Sequence, residues 1–260
     1  MLNKKEQRML EILKELKNDF NMVGVKAELE AEGTRKDEMI RLLEVTNRAD
    51  MGIYIKIGGC EALSDLFECK LYGAKGIVAP MIESPFAMKK YVKMIDKVYT
   101  LEEQKYLTIS FNLETITAFN NINQILDIGE NKMTNISVGR VDFSNSLGIG
   151  RERINSDEMF NKVEIILNKA KNKKIVTVMG GGISVDAIPF IKKLGNKLDC
   201  FETRKIIFNN YENLDIKSAI TLSTEFELLY LKNKADYYVR ISEEDASRIK
   251  MMEERLNRLN

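Results

Sequence analysis

No histidine occurs anywhere in the 260 residues. That absence removes the side chain whose ordinary titration lies nearest neutrality, and with it any histidine-based acid, base or metal ligand. Cysteine is almost as scarce. Cys60, Cys69 and Cys200 make an odd count with no metal-site spacing, which reads as reduced thiols in a cytoplasmic protein. No stretch approaches the about 18 apolar residues that would cross a bilayer. The first residues, MLNKKEQRMLEILKEL, are too charged for a signal peptide. Net charge is only +1, so neither nucleic acid nor a membrane is expected as a partner. Linkers, internal repeats and low-complexity segments are also lacking.

What is present suits one large α/β domain. The length fits a single TIM-type (β/α)8 barrel over residues 1–260, typically roughly 250 residues. A hydrophobic content of 44% is enough to fill its core. An amphipathic helix comes first, with Met9, Leu13, Leu16 and Phe20 on one stripe. Strands are expected near residues 23, 53, 77, 108, 136, 175, 199 and 237, separated by helical stretches. Among the helical stretches, 214–233 and 243–258 flank the last strand, Tyr237–Ile241. Several strands alternate an aliphatic face with a polar one. Val23, Val25 and Ala27 alternate with Gly24, Lys26 and Glu28; Ile53, Ile55 and Ile57 alternate with Tyr54, Lys56 and Gly58. In a barrel the aliphatic face packs on the outer helices and the polar face points inward. An exposed edge strand would show the same alternation.

The stretch Leu107–Gly148 organises the chain. One strand carries Thr108, Ser110, Asn112 and Glu114 on one side, and the next ends in Asp142. Two acids at the ends of neighbouring parallel strands converge on one mouth, where a hard divalent cation finds oxygen ligands. Acids that merely cap turns before helices are the plain alternative.

NLETITAFNNINQIL followed by ISVGRVDFSNSLG resembles the HpcH/HpaI aldolase and citrate lyase beta-subunit family. Its members carry a strand ending in Glu, a helix, then a Gly-x-x-Asp-[Leu or Phe] turn with Leu-Gly or Met-Gly after it. Here Glu114 and Asp142 stand 28 residues apart. GAKGIVAPMIES resembles the family's upstream Gly-Ala and Pro-Met segment, and Glu83 within it is read as a loop residue or helix cap. The resemblance spans roughly residues 22–205. It implies a barrel of the phosphoenolpyruvate/pyruvate type, and a lyase or aldolase, or a synthase running backwards, that acts on a 2-oxo acid through a metal-stabilised enolate. It further implies Mg²⁺ or Mn²⁺ on Glu114 and Asp142, a small-molecule oxo-acid substrate, and room for a homo-oligomer.

Two departures follow. The family's arginine that holds the oxo-acid is replaced by Lys56. Its Asp-x-Glu-His run falls on Glu28, Glu30 and Ala31, so the histidine is missing. Lys26, Glu30, Glu32, Arg35 or a metal-bound water are the candidates for its proton transfer. Catalytic roles are expected of Lys56, Glu30, Glu28 and Arg140, and substrate contacts of Lys26, Lys56, Ser144, Asn145 and Arg204. Arg140 has a second reading, as an internal partner of Glu28 or Glu202. Gly180, Gly181 and Gly182 offer backbone N–H groups to an anion, or simply a turn. Three other functions stay open: an enolate enzyme on a phosphorylated or thioester substrate, a non-catalytic barrel subunit, and a Schiff-base aldolase through Lys26 or Lys56. The family's barrel starts one strand earlier than Val23–Glu28. A circularly shifted barrel is therefore expected, with Tyr237–Ile241 filling that slot between Val23–Glu28 and Leu198–Glu202.

Overall fold

The computed structural model describes residues 1–209 and 211–257. Its eight strands close into one barrel in chain order. They are β1 (Met22–Glu28), β2 (Ile53–Lys56), β3 (Gly76–Ala79), β4 (Thr108–Leu113), β5 (Asn135–Gly139), β6 (Val176–Gly180), β7 (Cys200–Glu202) and β8 (Ile206–Asn209). Before β1 comes α1 (Lys4–Asp19), started by a reciprocal cap between Asn3 and Glu6. Between β1 and β4 lie α2 (Lys36–Arg48), α3 (Leu63–Leu71), α4 (Pro85–Val98) and the short α5 (Leu101–Gln104). Then follow α6 (Ile116–Asn120), α7 (Ile122–Gly129), α8 (Arg140–Ser146), α9 (Asp157–Asn172), α10 (Ile188–Leu194) and α11 (Ile216–Asn257). Serines at 84 and 156 cap α4 and α9 with their hydroxyls, as their place before each helix dictates.

Seven strands, β1 to β7, run parallel to one another and stand where the sequence places them. The eighth corrects the sequence reading. Tyr237–Ile241 is not a strand; it lies inside α11, where Arg240 is exposed. The slot between β7 and β1 is filled by Ile206–Asn209 instead, antiparallel to both. A two-residue turn, Arg204–Lys205, makes β7 and β8 a hairpin. Thr203 N–H donates to the Ile206 carbonyl at 2.9 Å, and Ile206 N–H to Thr203 Oγ1 at 3.1 Å. Helical spacing explains why the Tyr237–Ile241 alternation loses. Lys234 and Tyr238, one turn apart, both bind the Glu38 carboxylate of α2, and the Arg35 guanidinium covers the Tyr238 ring at 4.7 Å. At 42 residues, α11 is about 63 Å long. Arg8 clamps it through Glu225, with bonds of 2.8 and 3.0 Å. Of the expected helix 243–258, Arg258 lies outside the described residues.

Aliphatic residues of the strands pack outward on α1, α2, α4, α7 and α9 in one continuous core. Inside the ring, the end far from the loops is plugged by Val23, Tyr54, Val178, Cys200 and Ile207. Gly24 and Gly76 make room for the Tyr54 ring, since a Cβ at either would fall 2.3 Å from it. Above this plug the interior turns polar, with Lys26, Glu28, Lys56, Asn112, Ser137 and Glu202 at half-exposed or buried positions. The plug thus leaves the interior lysines and carboxylates at the mouth end.

Candidate active site

The mouth lies at the carboxyl ends of β1 to β7, where catalytic groups of such barrels sit. Glu114 follows β4 directly and is 3% exposed. Its Oε1 accepts from the Met81 N–H at 3.0 Å, in the loop after β3, and its Oε2 from Asn112 Nδ2 at 3.2 Å. Asp142 stands in the first turn of α8, exposed to the mouth. Burial holds the Glu114 carboxyl above the ordinary range, and the Asp142 charge adds to this; the Met81 N–H, Lys56 and Asn112 oppose it but lose. The two acids therefore repel each other across one site.

Two ion pairs cross the interior. Lys56 Nζ lies 3.0 Å from Glu28 Oε2, and Lys26 Nζ 2.8 Å from Glu202 Oε1. Ser137 Oγ donates to the same Glu202 oxygen at 3.0 Å. Glu28 is held below the ordinary carboxylate range: burial would raise it, but Lys56, with Lys26 and Arg204 behind it, prevails. Four carboxylates, Glu28, Glu114, Asp142 and Glu202, thus face two lysines, Lys26 and Lys56. Two negative charges are left over, the complement of one divalent cation.

Glycines at the strand ends create the space for these acids. A Cβ on Gly139 of β5 would fall 2.7 Å from Glu114 Oε2, and one on Gly180 of β6 would fall 2.8 Å from Glu202 Oε1. A Cβ on Gly58 would meet the Glu30 side chain at 2.5 Å, so Glu30 leans over the end of β2 from the exposed β1–α2 loop.

The remaining expected residues lie elsewhere. Arg140 is fully buried beside the mouth, not within it. Its Nε donates to the Gly180 carbonyl (3.3 Å), Nη1 to Ile154 O (3.3 Å) and Asn155 Oδ1 (2.7 Å), and Nη2 to Gly181 O (3.0 Å) and Gly182 O (3.4 Å). It pairs with neither Glu28 nor Glu202. Ser144 is buried in α8 and donates to Val141 O at 2.8 Å, while Asn145 is exposed on the same helix. Arg204, at the hairpin tip, binds Glu32 at 2.9 Å, and the buried Lys205 binds the same carboxylate. Glu32 is thereby tied into the wall between β1 and β8. Glu83 lies in the loop before α4, whose cap is Ser84. Asn112 was not singled out as a site residue, although its place on the polar side of β4, two before Glu114, is the signal that marks it.

A cation site of this composition fits the chemistry of hard oxygen donors. Among the described residues no three of the His, Cys, Asp and Glu side chains gather as a ready-made cluster. The set is Glu114 and Asp142, beside one buried amide oxygen, Asn112 Oδ1, that has no hydrogen-bond partner.

The raised Glu114 has a sign that can be measured. A carboxyl favoured in its protonated form by the fold stabilises the folded chain below the ordinary value of 4.5, and that contribution is lost as pH climbs through the raised value. Glu114→Gln has no such slope. In chelator, its melting temperature is expected to gain on the parent's as pH rises from about 4.5 toward neutrality. A constant difference across pH 4–8 would contradict the burial of that charge.

Residues 61–183 match the model of the HpcH/HpaI aldolase/citrate lyase family. No curated protein matches the chain. Among solved structures it is similar to the HpcH/HpaI aldolase from Desulfitobacterium hafniense DCB-2, at 15% identity and a TM-score of 0.61, over 86% of this chain and 89% of that one. It is similar to an HpcH/HpaI aldolase/citrate lyase family protein from Burkholderia cenocepacia J2315 at 13% identity and a TM-score of 0.61, over 92% and 100%. A third is the citrate synthase SbnG, at 16% and 0.59, over 88% and 90%. At such identities the likeness to these structures is one of fold.

Proposed function

From a barrel whose residues 61–183 match the model of the HpcH/HpaI aldolase/citrate lyase family, we propose a divalent-cation-dependent carbon–carbon lyase or aldolase acting on a 2-oxo acid. The observation that carries this reading is the pair Glu114, just after β4, and Asp142, in the first turn of the helix that follows β5 rather than at the end of the strand itself, in an interior left two charges negative. Glu114 and Asp142 would hold Mg²⁺ or Mn²⁺. When bound, such a cation supplies Lewis acidity to the oxygens of the oxo acid. Glu28 keeps Lys56 in place, and Lys56 lays its charge beside Glu114, where a substrate carboxylate would lie. Glu202 and Lys26 close the opposite wall. Glu30, exposed above Gly58 and without a side-chain partner among the described residues, is the carboxylate at the rim suited to exchange a proton with the substrate.

A second reading, a barrel that binds without catalysis, is favoured by the engagement of both inward lysines and of Arg140. Exchange of pyruvate methyl protons for deuterium, followed by NMR with Mg²⁺ present, separates the two. The enzyme reading expects exchange faster than in buffer, falling on the order of 100-fold in Glu114→Gln. Parent protein that exchanges no faster than buffer would leave the binding reading. Unchanged exchange in Glu30→Gln would remove Glu30 from the proton path.

A further inference from the structure

Asn112 is 8% exposed and points into the barrel from β4, one inward position below Glu114. Its two ends are used unequally. Nδ2 donates to Glu114 Oε2 at 3.2 Å, whereas Oδ1 is buried and accepts nothing among the described residues. The residue paired with Asn112 across β4 and β5 is Ser137, and its single hydroxyl proton is already given to Glu202. Lys56, the cation that faces Glu114, is committed to Glu28 at 3.0 Å. No neighbour is therefore placed to satisfy this oxygen. A buried acceptor left without a donor costs folding free energy, so native structures keep few of them. An apolar residue of similar size, such as leucine, would avoid that cost. The orphan lies beside a carboxylate already raised by burial, under a mouth with an excess of negative charge.

We infer that Asn112 is the third member of the cation site. Its Nδ2 orients Glu114, and its Oδ1 is kept for the ion or for a water that the ion holds. The inference rests on the cation-dependent reading given above and deepens it. The site then offers a hard ion three oxygen-bearing side chains, two charged and one neutral, in keeping with the oxygen coordination of Mg²⁺ and Mn²⁺. Asn112 is a positioning residue in this account, since the substrate need not touch it.

Two substitutions with opposite consequences test the idea, read by Mn²⁺ binding in calorimetry without substrate. Asn112→Leu keeps the size and removes the oxygen; affinity is expected to fall about 10–100-fold, the usual cost of a lost supporting ligand. Asn112→Asp removes the donor to Glu114 but keeps an oxygen at the orphan's place and adds a charge, so affinity is expected to hold or rise. A residue that served only as the donor to Glu114 would weaken binding alike in both variants, because both lose that donor. Equal losses in the two, or an affinity within twofold of the parent in Asn112→Leu, would overturn the inference. Should Asn112→Asp fail to fold, the inference still falls if Asn112→Leu binds Mn²⁺ within twofold of the parent. Parent protein that binds no Mn²⁺ would instead sink the cation reading itself.

Discussion

Arg140→Met is expected to lower the melting temperature by roughly 6–10 °C, from a loss of about 3 kcal/mol. Every N–H of the guanidinium is spent, on four backbone carbonyls and the Asn155 side chain. Burial pulls its pKa down to about 10, so the group is still a cation at neutral pH, held by dipoles and by the Phe190 ring 4.8 Å away. Methionine fills much of the volume and leaves the carbonyls of Gly180, Gly181 and Gly182 without donors. The turn has no slack to move toward other partners. Gly181 has φ +73°, and a Cβ there would fall 2.6 Å from Arg140 N and 2.7 Å from Val141 N. Arg140→Lys should lie between parent and methionine, since three donors replace five. A methionine variant that melts within 2 °C of the parent, by calorimetry at about 1 kcal/mol resolution, would show that Arg140 does not hold this turn.

The second large effect concerns the interior lysine. Lys56→Met removes the partner of a buried carboxylate and the one cation that eases Glu114. Breaking such a pair costs about 3 kcal/mol or more, because the remaining charge stays buried and unmatched. Glu28→Gln should cost less, as Lys56 still has Glu114 to face. The double variant Lys56→Met/Glu28→Gln should recover most of the loss, since no stranded charge is left on β1. These three melting curves form a thermodynamic cycle. Equal costs for the two single variants would show that Lys56 and Glu114 do not communicate, and a double variant worse than Lys56→Met alone would show that Lys56 and Glu28 are not coupled.

Much of this architecture was legible in the chain itself. Alternation of period two placed β1, β2 and β4, each with an aliphatic face to bury and a polar face turned inward, and the succession of short apolar runs between helical stretches placed β3, β5, β6 and β7. The position of Glu114 just beyond β4 was legible for the same reason, whereas Asp142, expected at the end of its strand, stands one step on, in the first turn of α8. Three things were hidden. Ile206–Asn209 is four residues of mostly apolar character after a turn without glycine or asparagine, so nothing marks a hairpin there. Tyr237–Ile241 carries the aromatic and branched residues of a strand, yet its conformation is decided by Glu38 and Arg35, about 200 positions away. Arg140 looks like a substrate clamp at the end of β5. Only the approach of the Gly180–Gly182 carbonyls, some 40 positions later, makes it a structural one.

The pairing of β1 with β8 joins residues 22–28 to residues 206–209. During synthesis, β1 must wait roughly 180 residues for its second neighbour, about 10–35 s at ordinary ribosomal rates of 5–20 residues per second. Throughout that time a half-built sheet presents an open edge, the kind of surface on which nascent chains join one another. The hairpin shortens the last step. Once β7 has docked, β8 needs only two further residues to turn back, and the ring closes by a local event rather than by another long crossover. Expression yield should therefore depend on translation speed ahead of residue 209 and on the strength of the β7–β8 turn.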